Sequence, residues 1–177
     1  MVRGGHQQIG NEVFLNGGNL MRTQINIEMD GGLLTLGKDS ESVWFGSQNS
    51  TVNQSGGTVI MQGANTETSG SKGFLLGWSS GTTYTLTGGL LDVSKSHINF
   101  WDTSTLNING GEVKTRGIFD GGGTGAGTVN LTNGGKLTLV GTQGIPAVLA
   151  AFNVNGATIA ATETTSIVEP IVLGGAM

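Results

Sequence analysis

The pair Gly-Gly recurs along this chain, at Gly17-Gly18, Gly31-Gly32, Gly56-Gly57, Gly88-Gly89, Gly110-Gly111 and Gly134-Gly135, with a degenerate copy at Gly156-Ala157. Aligned on the pair, the later copies read TYTLTGGLLDV, STLNINGGEVKT, TVNLTNGGKLTLV and AFNVNGATIAA. The steps between copies are 14, 25, 32, 22, 24 and 22 residues. A period in the low twenties, made of strand, glycine corner and strand, predicts a β-solenoid.

The flanks support strand over helix. Val129 and Leu131 precede one pair and Leu137 and Leu139 follow it; Leu106 and Ile108 precede another, with Val113 after it; Tyr84 and Leu86 precede a third, with Leu91 and Val93 after it. This period of two turns apolar residues inward and polar ones outward. Only Pro146 to Ala151 tolerates a helix, and it is too short to stand alone. Glycine suits the corners because a turn with positive φ costs other residues about 1 kcal/mol or more. The fold expected is all-β: a single-stranded, right-handed parallel β-helix of about seven rungs with glycine-pair corners. Its handedness follows from the preferred right-handed crossover, and rungs stacked at ~4.8 Å make a prism about 35 Å long. Residues 1–177 form one domain. The short first step marks 1–30 as an irregular start or cap, around Arg3 to Asn11. The long third step holds GANTETSGSKG, which predicts an inserted loop at 63–73.

Composition narrows the function classes. Charged residues make up 11% of the chain, too few for a disordered segment of this length. Net charge is −4 with no basic run, so neither nucleic acid nor an anionic membrane surface is an expected partner. There is no cysteine, hence no disulfide, thiol nucleophile or cysteine-bound metal. No run of 18 apolar residues occurs, so no helical membrane span is expected. The start MVRGGHQQIG has no apolar stretch of the signal-peptide kind.

Several motifs invite chemistry. Gly32 to Lys38 fits GxxxxGK, but Asp39 replaces the magnesium-binding hydroxyl, and Leu33, Leu34 and Leu36 read as strand. Asp120 to Gly127 is glycine-rich but lacks the second Asp of a calcium repeat. Asp92, Asp102 and Glu112 are the acids that a polysaccharide-active β-helix enzyme would use. Rung alignment sets Asp92 beside Lys114 and Glu112 beside Lys136, the pattern of a solvated face. His97, Phe100 and Trp101 lie close in sequence to the acid Asp102 and either stack on a sugar or, as such aromatics more often do, plug the core or cover a corner, and the same holds for Trp44 and Trp78; His6 shares no metal-ligand spacing with His97. No cofactor is expected.

A polar ladder is the strongest binding candidate. Thr85 and Thr87, Asn107 and Asn109, Asn130 and Thr132, and Asn153 and Asn155 precede successive corners. They form two outward columns that can bond rung to rung, contact a glycan or host surface, or order water as ice-binding faces do. Ile167, Val168, Ile171, Val172 and Leu173 form an apolar, β-prone C-terminal edge whose only charge is Glu169.

The repeats TYTLTGGLLDV and GAGTVNLTNGGKLTL resemble the glycine-rich repeats of bacterial autotransporter passenger domains and related adhesin-like β-helix proteins. The stretch AAFNVNGATIAATETTSIVEPIVLGGAM is similar to the autotransporter-associated β-strand repeat. The resemblance runs from Ser55 to Met177 and implies an extracellular or cell-surface location. Together these readings make the chain a non-catalytic extracellular solenoid, a structural or adhesive segment that self-assembles or joins neighbouring repeats of a longer precursor. A polysaccharide-active enzyme is the alternative, and an ice-binding surface the minor one.

Overall fold

The computed structural model describes residues 6–9, 13–15, 26–37, 42–45, 49–65, 72–77, 81–122 and 125–174. Among them are eighteen strands and no helix. The chain enters through β1 (His6–Ile9) and β2 (Val13–Leu15). One turn follows as β3 (Asn26–Met29), β4 (Leu33–Leu36) and β5 (Ser42–Phe45). The next is β6 (Thr51–Gln54), β7 (Thr58–Met61) and β8 (Gly73–Leu76), then β9 (Thr83–Leu86), β10 (Leu90–Val93) and β11 (Ile98–Trp101). The later turns hold β12 (Thr105–Ile108) with the long β13 (Glu112–Gly122), β14 (Thr128–Thr132) with β15 (Lys136–Gly144), and β16 (Ala151–Asn155) with β17 (Thr158–Ala161). The last strand is β18 (Ile171–Leu173).

Every pairing between these strands is parallel and joins one turn to the next, which makes a β-solenoid of about 6 turns, close to the seven rungs expected. The first face is the 8-stranded sheet β1-β3-β6-β9-β12-β14-β16-β18. The second face runs β2-β4-β7-β10-β13-β15-β17. The third runs β5-β8-β11 and ends on the second half of β13, so β13 bends from one face to the next. An isolated bridge from Ile145 to Ile167 carries the third face one turn further.

The core is built from stacked columns, because a parallel register places like positions over each other. Ile27, Val52, Tyr84, Leu106, Val129 and Phe152 form one inward column, all buried. Met29, Gln54, Leu86, Ile108, Leu131 and Val154 form the next. Gln54 is the polar exception. It accepts a 2.6 Å bond from the Tyr84 hydroxyl, and its Nε2 donates to the carbonyls of Gly56 and Gly57 at 3.2 Å and of Leu90 at 3.0 Å. A fully bonded amide of this kind is tolerated in a dry core.

The corners explain the glycine pairs. At Gly57 φ is 68°, and a Cβ there would lie 2.5 Å from the carbonyl carbon of Gly31 one turn away. Conformation and close stacking both require glycine. The β14–β15 corner differs from its neighbours. Leu131 pairs Ile108 and Lys136 pairs Glu112, so this corner holds one more residue than the one below it. Asn133 and Gly134 take up the difference with φ of 51° and 79°. Thr132 therefore stands over Asn109, and Gly134 has open space where a Cβ would be.

Two connections lie outside the repeating strands. The region 146–150 is an irregular loop, held by Glu169, whose Oε2 accepts the backbone amides of Val148 at 2.7 Å and Leu149 at 2.9 Å. Glu169 is buried by this role. The insertion at 63–73 folds back against the solenoid where it is described. Asn65 is buried and its amide donates to the carbonyl of Lys95 at 3.1 Å, while the carbonyl of Lys72 accepts Asn99 Nδ2 at 2.5 Å. Residues 66–71 lie outside the described residues.

Candidate functional site

On the first face, alternate residues of each strand point outward and align turn over turn. Asn53, Thr85, Asn107, Asn130 and Asn153 are register partners in one outward column. From Asn153 down to Thr85 their side chains form a continuous ladder. Asn153 Nδ2 donates to Asn130 Oδ1 at 2.8 Å, Asn130 Nδ2 to Asn107 Oδ1 at 2.8 Å, and Asn107 Nδ2 to Thr85 Oγ1 at 3.3 Å. Below them, Asn53 Nδ2 donates to Glu28 Oε1 at 2.7 Å. Asn107 and Asn130 each use one N–H and one oxygen lone pair along the ladder. The second N–H and the second lone pair remain for a partner.

Beside this column runs the corner column of Thr87, Asn109, Thr132 and Asn155. Thr132 Oγ1 donates to Asn109 Oδ1 at 3.1 Å, and Asn133 Nδ2 bonds the same oxygen. The structure adds a third column that sequence reasoning missed: Thr51, Thr83, Thr105 and Thr128, again in register. The signal was present as a Thr two residues before each outward Asn or Thr, in Thr51-Val-Asn53, Thr83-Tyr-Thr85, Thr105-Leu-Asn107 and Thr128-Val-Asn130. From β6 to β16 the outward strand positions of this face carry no ionisable group. The result is a mesh of hydroxyls and amides spaced ~4.8 Å along the solenoid and ~6.6 Å along each strand.

The candidate acids do not gather. Asp92 and Glu112 sit on adjacent turns of the second face, each opposite a lysine: Asp92 pairs Lys114 in the ladder, and Glu112 pairs Lys136. Lys136 Nζ lies 3.1 Å from Glu112 Oε1, and the Thr138 hydroxyl donates to the same oxygen at 2.7 Å. Partial burial pulls the Glu112 carboxyl upward, but Thr138, Lys136 and the nearby Lys114 outweigh it and hold it below its usual value. Asp92 Oδ1 accepts the Ser94 amide at 2.9 Å and so shapes the turn after β10. Asp102 follows β11 on the third face, buried at a left-handed corner with φ of 55°. Asp120 accepts the Gly122 amide at 3.0 Å. Among the described residues, no three of His, Asp and Glu cluster as metal ligands.

The His97 group does not present a sugar platform. His97 and Phe100 are fully buried, and the imidazole packs edge-on against Phe119 with ring centroids 5.3 Å apart. His97 Nε2 lies 3.0 Å from Asn99 Nδ2, and Nδ1 is buried. The backbone of Lys72 and Asn65 hydrogen-bonds the ring. Burial lowers the basicity of His97, the backbone of Lys72 opposes this, and the charge of Arg116 adds to the lowering. Trp101 is half-buried, Trp44 lies on β5, and Trp78 falls outside the described residues.

The apolar C-terminal residues divide. Ile167 bridges Ile145 and packs on the core. Val168, Ile171, Val172 and Leu173 are exposed at 63%, 38%, 58% and 75%. Both β17 and β18 have a turn below them and no strand above among the described residues.

No protein-family model, curated protein or solved structure matches this chain.

Proposed function

We propose that the chain is a non-catalytic, extracellular β-solenoid segment that serves as a cell-surface scaffold and adheres to a neutral glycan through its first face. The observation that carries this reading is the bonded Asn ladder from Asn153 to Thr85, set between columns of threonine on a face without charge from β6 to β16. Side chains already locked to each other lose little rotamer freedom when a partner arrives, so their spare donors and acceptors are preorganised. A neutral polyhydroxyl chain matches a neutral mesh of hydroxyls and amides. A charged partner would have to leave its counter-charges unmatched.

The acids support the non-catalytic part of the reading. A glycosidase needs two carboxyls facing one substrate, one of them free to hold a proton. Here Glu112 is tied to Lys136 and Thr138, and Asp92 shapes its own turn. The extracellular assignment rests on the likeness of the repeats to passenger domains. The test is a panel of immobilised neutral and charged glycans probed with the native chain and with Thr105→Lys/Thr128→Lys, whose side chains point outward. Retention on neutral glycans that is lost in the variant supports the proposal. Binding that is equal in both proteins, or confined to charged glycans, overturns it.

A further inference from the structure

Each turn of the first face presents three outward positions, as in Thr105, Asn107 and Asn109 of one turn and Thr128, Asn130 and Thr132 of the next, all half-buried. The three bonds of the central ladder run the same way: Asn153 donates to Asn130, Asn130 to Asn107, and Asn107 to Thr85. Asn130 and Asn107 are therefore held in one orientation, and their spare N–H and lone pair recur from turn to turn at ~4.8 Å. A small ligand would use one turn of this repeat. A polymer whose own repeat matches the turn spacing uses all of them.

The shape of the face sets the direction of such a polymer. Its three columns span about 13 Å along a strand, at ~6.6 Å for every second residue, whereas the five turns β6, β9, β12, β14 and β16 extend it about 19 Å along the solenoid. A linear glycan covers most of the mesh only when it lies along the solenoid axis. In an extended chain of hexopyranose rings joined through equatorial β-linkages, each ring advances the chain by close to one turn spacing. A ring then sits over the central column of every turn, and its edge hydroxyls reach the columns on either side. Successive rings turn opposite edges to a given side, but a hydroxyl both donates and accepts, so either edge meets a spare N–H or a spare lone pair. α-Linked chains coil and lose this register. No ionisable group stands at the outward strand positions from β6 to β16, so a neutral chain leaves no charge without a counterpart on either side.

We infer that the first face holds an extended, neutral, β-linked hexose chain parallel to the solenoid axis, one ring per turn over the five turns from β6 to β16. This rests on the reading of the face as a neutral-glycan surface and adds to it the linkage, the direction and the number of rings. The bonds that tie the ladder amides to each other run along the same axis, so a chain laid on them costs those side chains little further freedom.

Isothermal titration with β-1,4-linked glucose and mannose oligomers, from disaccharide to hexasaccharide, tests it, with α-1,4-linked glucose oligomers of the same lengths for comparison. Affinity for a β-linked series is expected to rise with each added ring up to the pentasaccharide, at one chain per protein. The α-linked hexasaccharide is expected to bind at least about tenfold more weakly than its β-linked counterpart. Thr83→Lys and Thr128→Lys, two turns apart, are each expected to weaken the same pentasaccharide by at least about tenfold with the melting temperature retained. Several short chains per protein, affinity that stops rising at the disaccharide, or equal binding of α- and β-linked oligomers overturns the inference. So does failure of both β-linked series to bind while the native chain is still retained on the panel of neutral glycans, a result that leaves the proposed function standing. Loss of all retention on neutral glycans overturns both.

Discussion

Replacing Leu131 by Asp is the most demanding test of how the turns are stacked. Leu131 has 0% of its surface exposed and sits in register between Ile108 and Val154. Loss of its buried apolar surface costs about 2–3 kcal/mol. The carboxyl would stay neutral in this column. At pH 7 that means holding a proton about three pH units above its ordinary pKa, or about 4 kcal/mol at ~1.4 kcal/mol per unit. The sum, about 6–7 kcal/mol, is a large share of a typical domain stability of about 5–15 kcal/mol. The same arithmetic sets a pH signature. The folded pKa of the new acid is raised above its unfolded value. The penalty therefore shrinks as pH falls toward about 4, where the unfolded state also takes up the proton, and grows as pH rises. Urea unfolding at several pH values measures it, with Thr128→Asp on the outward side of the same strand as the control, expected to cost less than about 1 kcal/mol. If the two variants were equally stable, or if the Leu131→Asp penalty did not shrink on acidification, the inward column would be wrongly assigned.

Four other outcomes are expected. Gly57→Ala, which drives a Cβ to 2.5 Å from the Gly31 backbone, should prevent folding or lower the melting temperature sharply, whereas Gly134→Ala, with open space around it, should cost only the roughly 1 kcal/mol of a left-handed residue. Asn130→Ala breaks two ladder bonds at a half-exposed position and should cost about 1–2 kcal/mol by denaturant unfolding. His97 is less basic in the fold than unfolded, so stability should fall as pH drops below about 6.5, and His97→Gln should flatten that part of the profile whatever its effect at neutral pH. Glu112 has a folded pKa below its unfolded one, so its contribution is present above the unfolded value and lost as pH falls through the folded value. Glu112→Gln should remove that acid-limb slope and, at this partly exposed ion pair, change stability at neutral pH by less than about 1 kcal/mol.

The turn-over-turn alignment of Leu106, Ile108, Val129 and Leu131 was legible because alternation and the glycine corners both mark it, and the Glu112–Lys136 pairing followed from counting off the same corner. Which residues of the longer corner at Asn133 take the positive φ was not legible. An Asn-Gly-Gly corner looks the same whether the positive φ falls on the second glycine or on the Asn and first glycine. The role of Gln54 was not legible because nothing local shows that Tyr84, 30 positions on, would point its hydroxyl at it. The role of Glu169 was not legible for a similar reason: its partners, the amides of Val148 and Leu149, are a full turn away, and a capping bond of that kind leaves no pattern in the sequence. That His97 and Phe100 pack inside was legible as the commoner use of such aromatics, but their cover was not, because Asn65 and Lys72 lie in an insertion with no apolar signal of its own. The threonine column of the candidate face was readable and was overlooked, since attention fell on the residues nearest the corners.

The central claim is that this solenoid acts by presenting a surface and not by turning over a substrate. The most direct measurement incubates the purified chain with a broad panel of polysaccharides and follows both new reducing ends, the mark of hydrolysis, and ultraviolet absorbance from unsaturated products, the mark of elimination. The account predicts neither signal above a protein-free blank, on glycans that the chain retains as well as on those it does not. Release of either product that disappears on Asp92→Ala, Asp102→Ala or Glu112→Ala would contradict it.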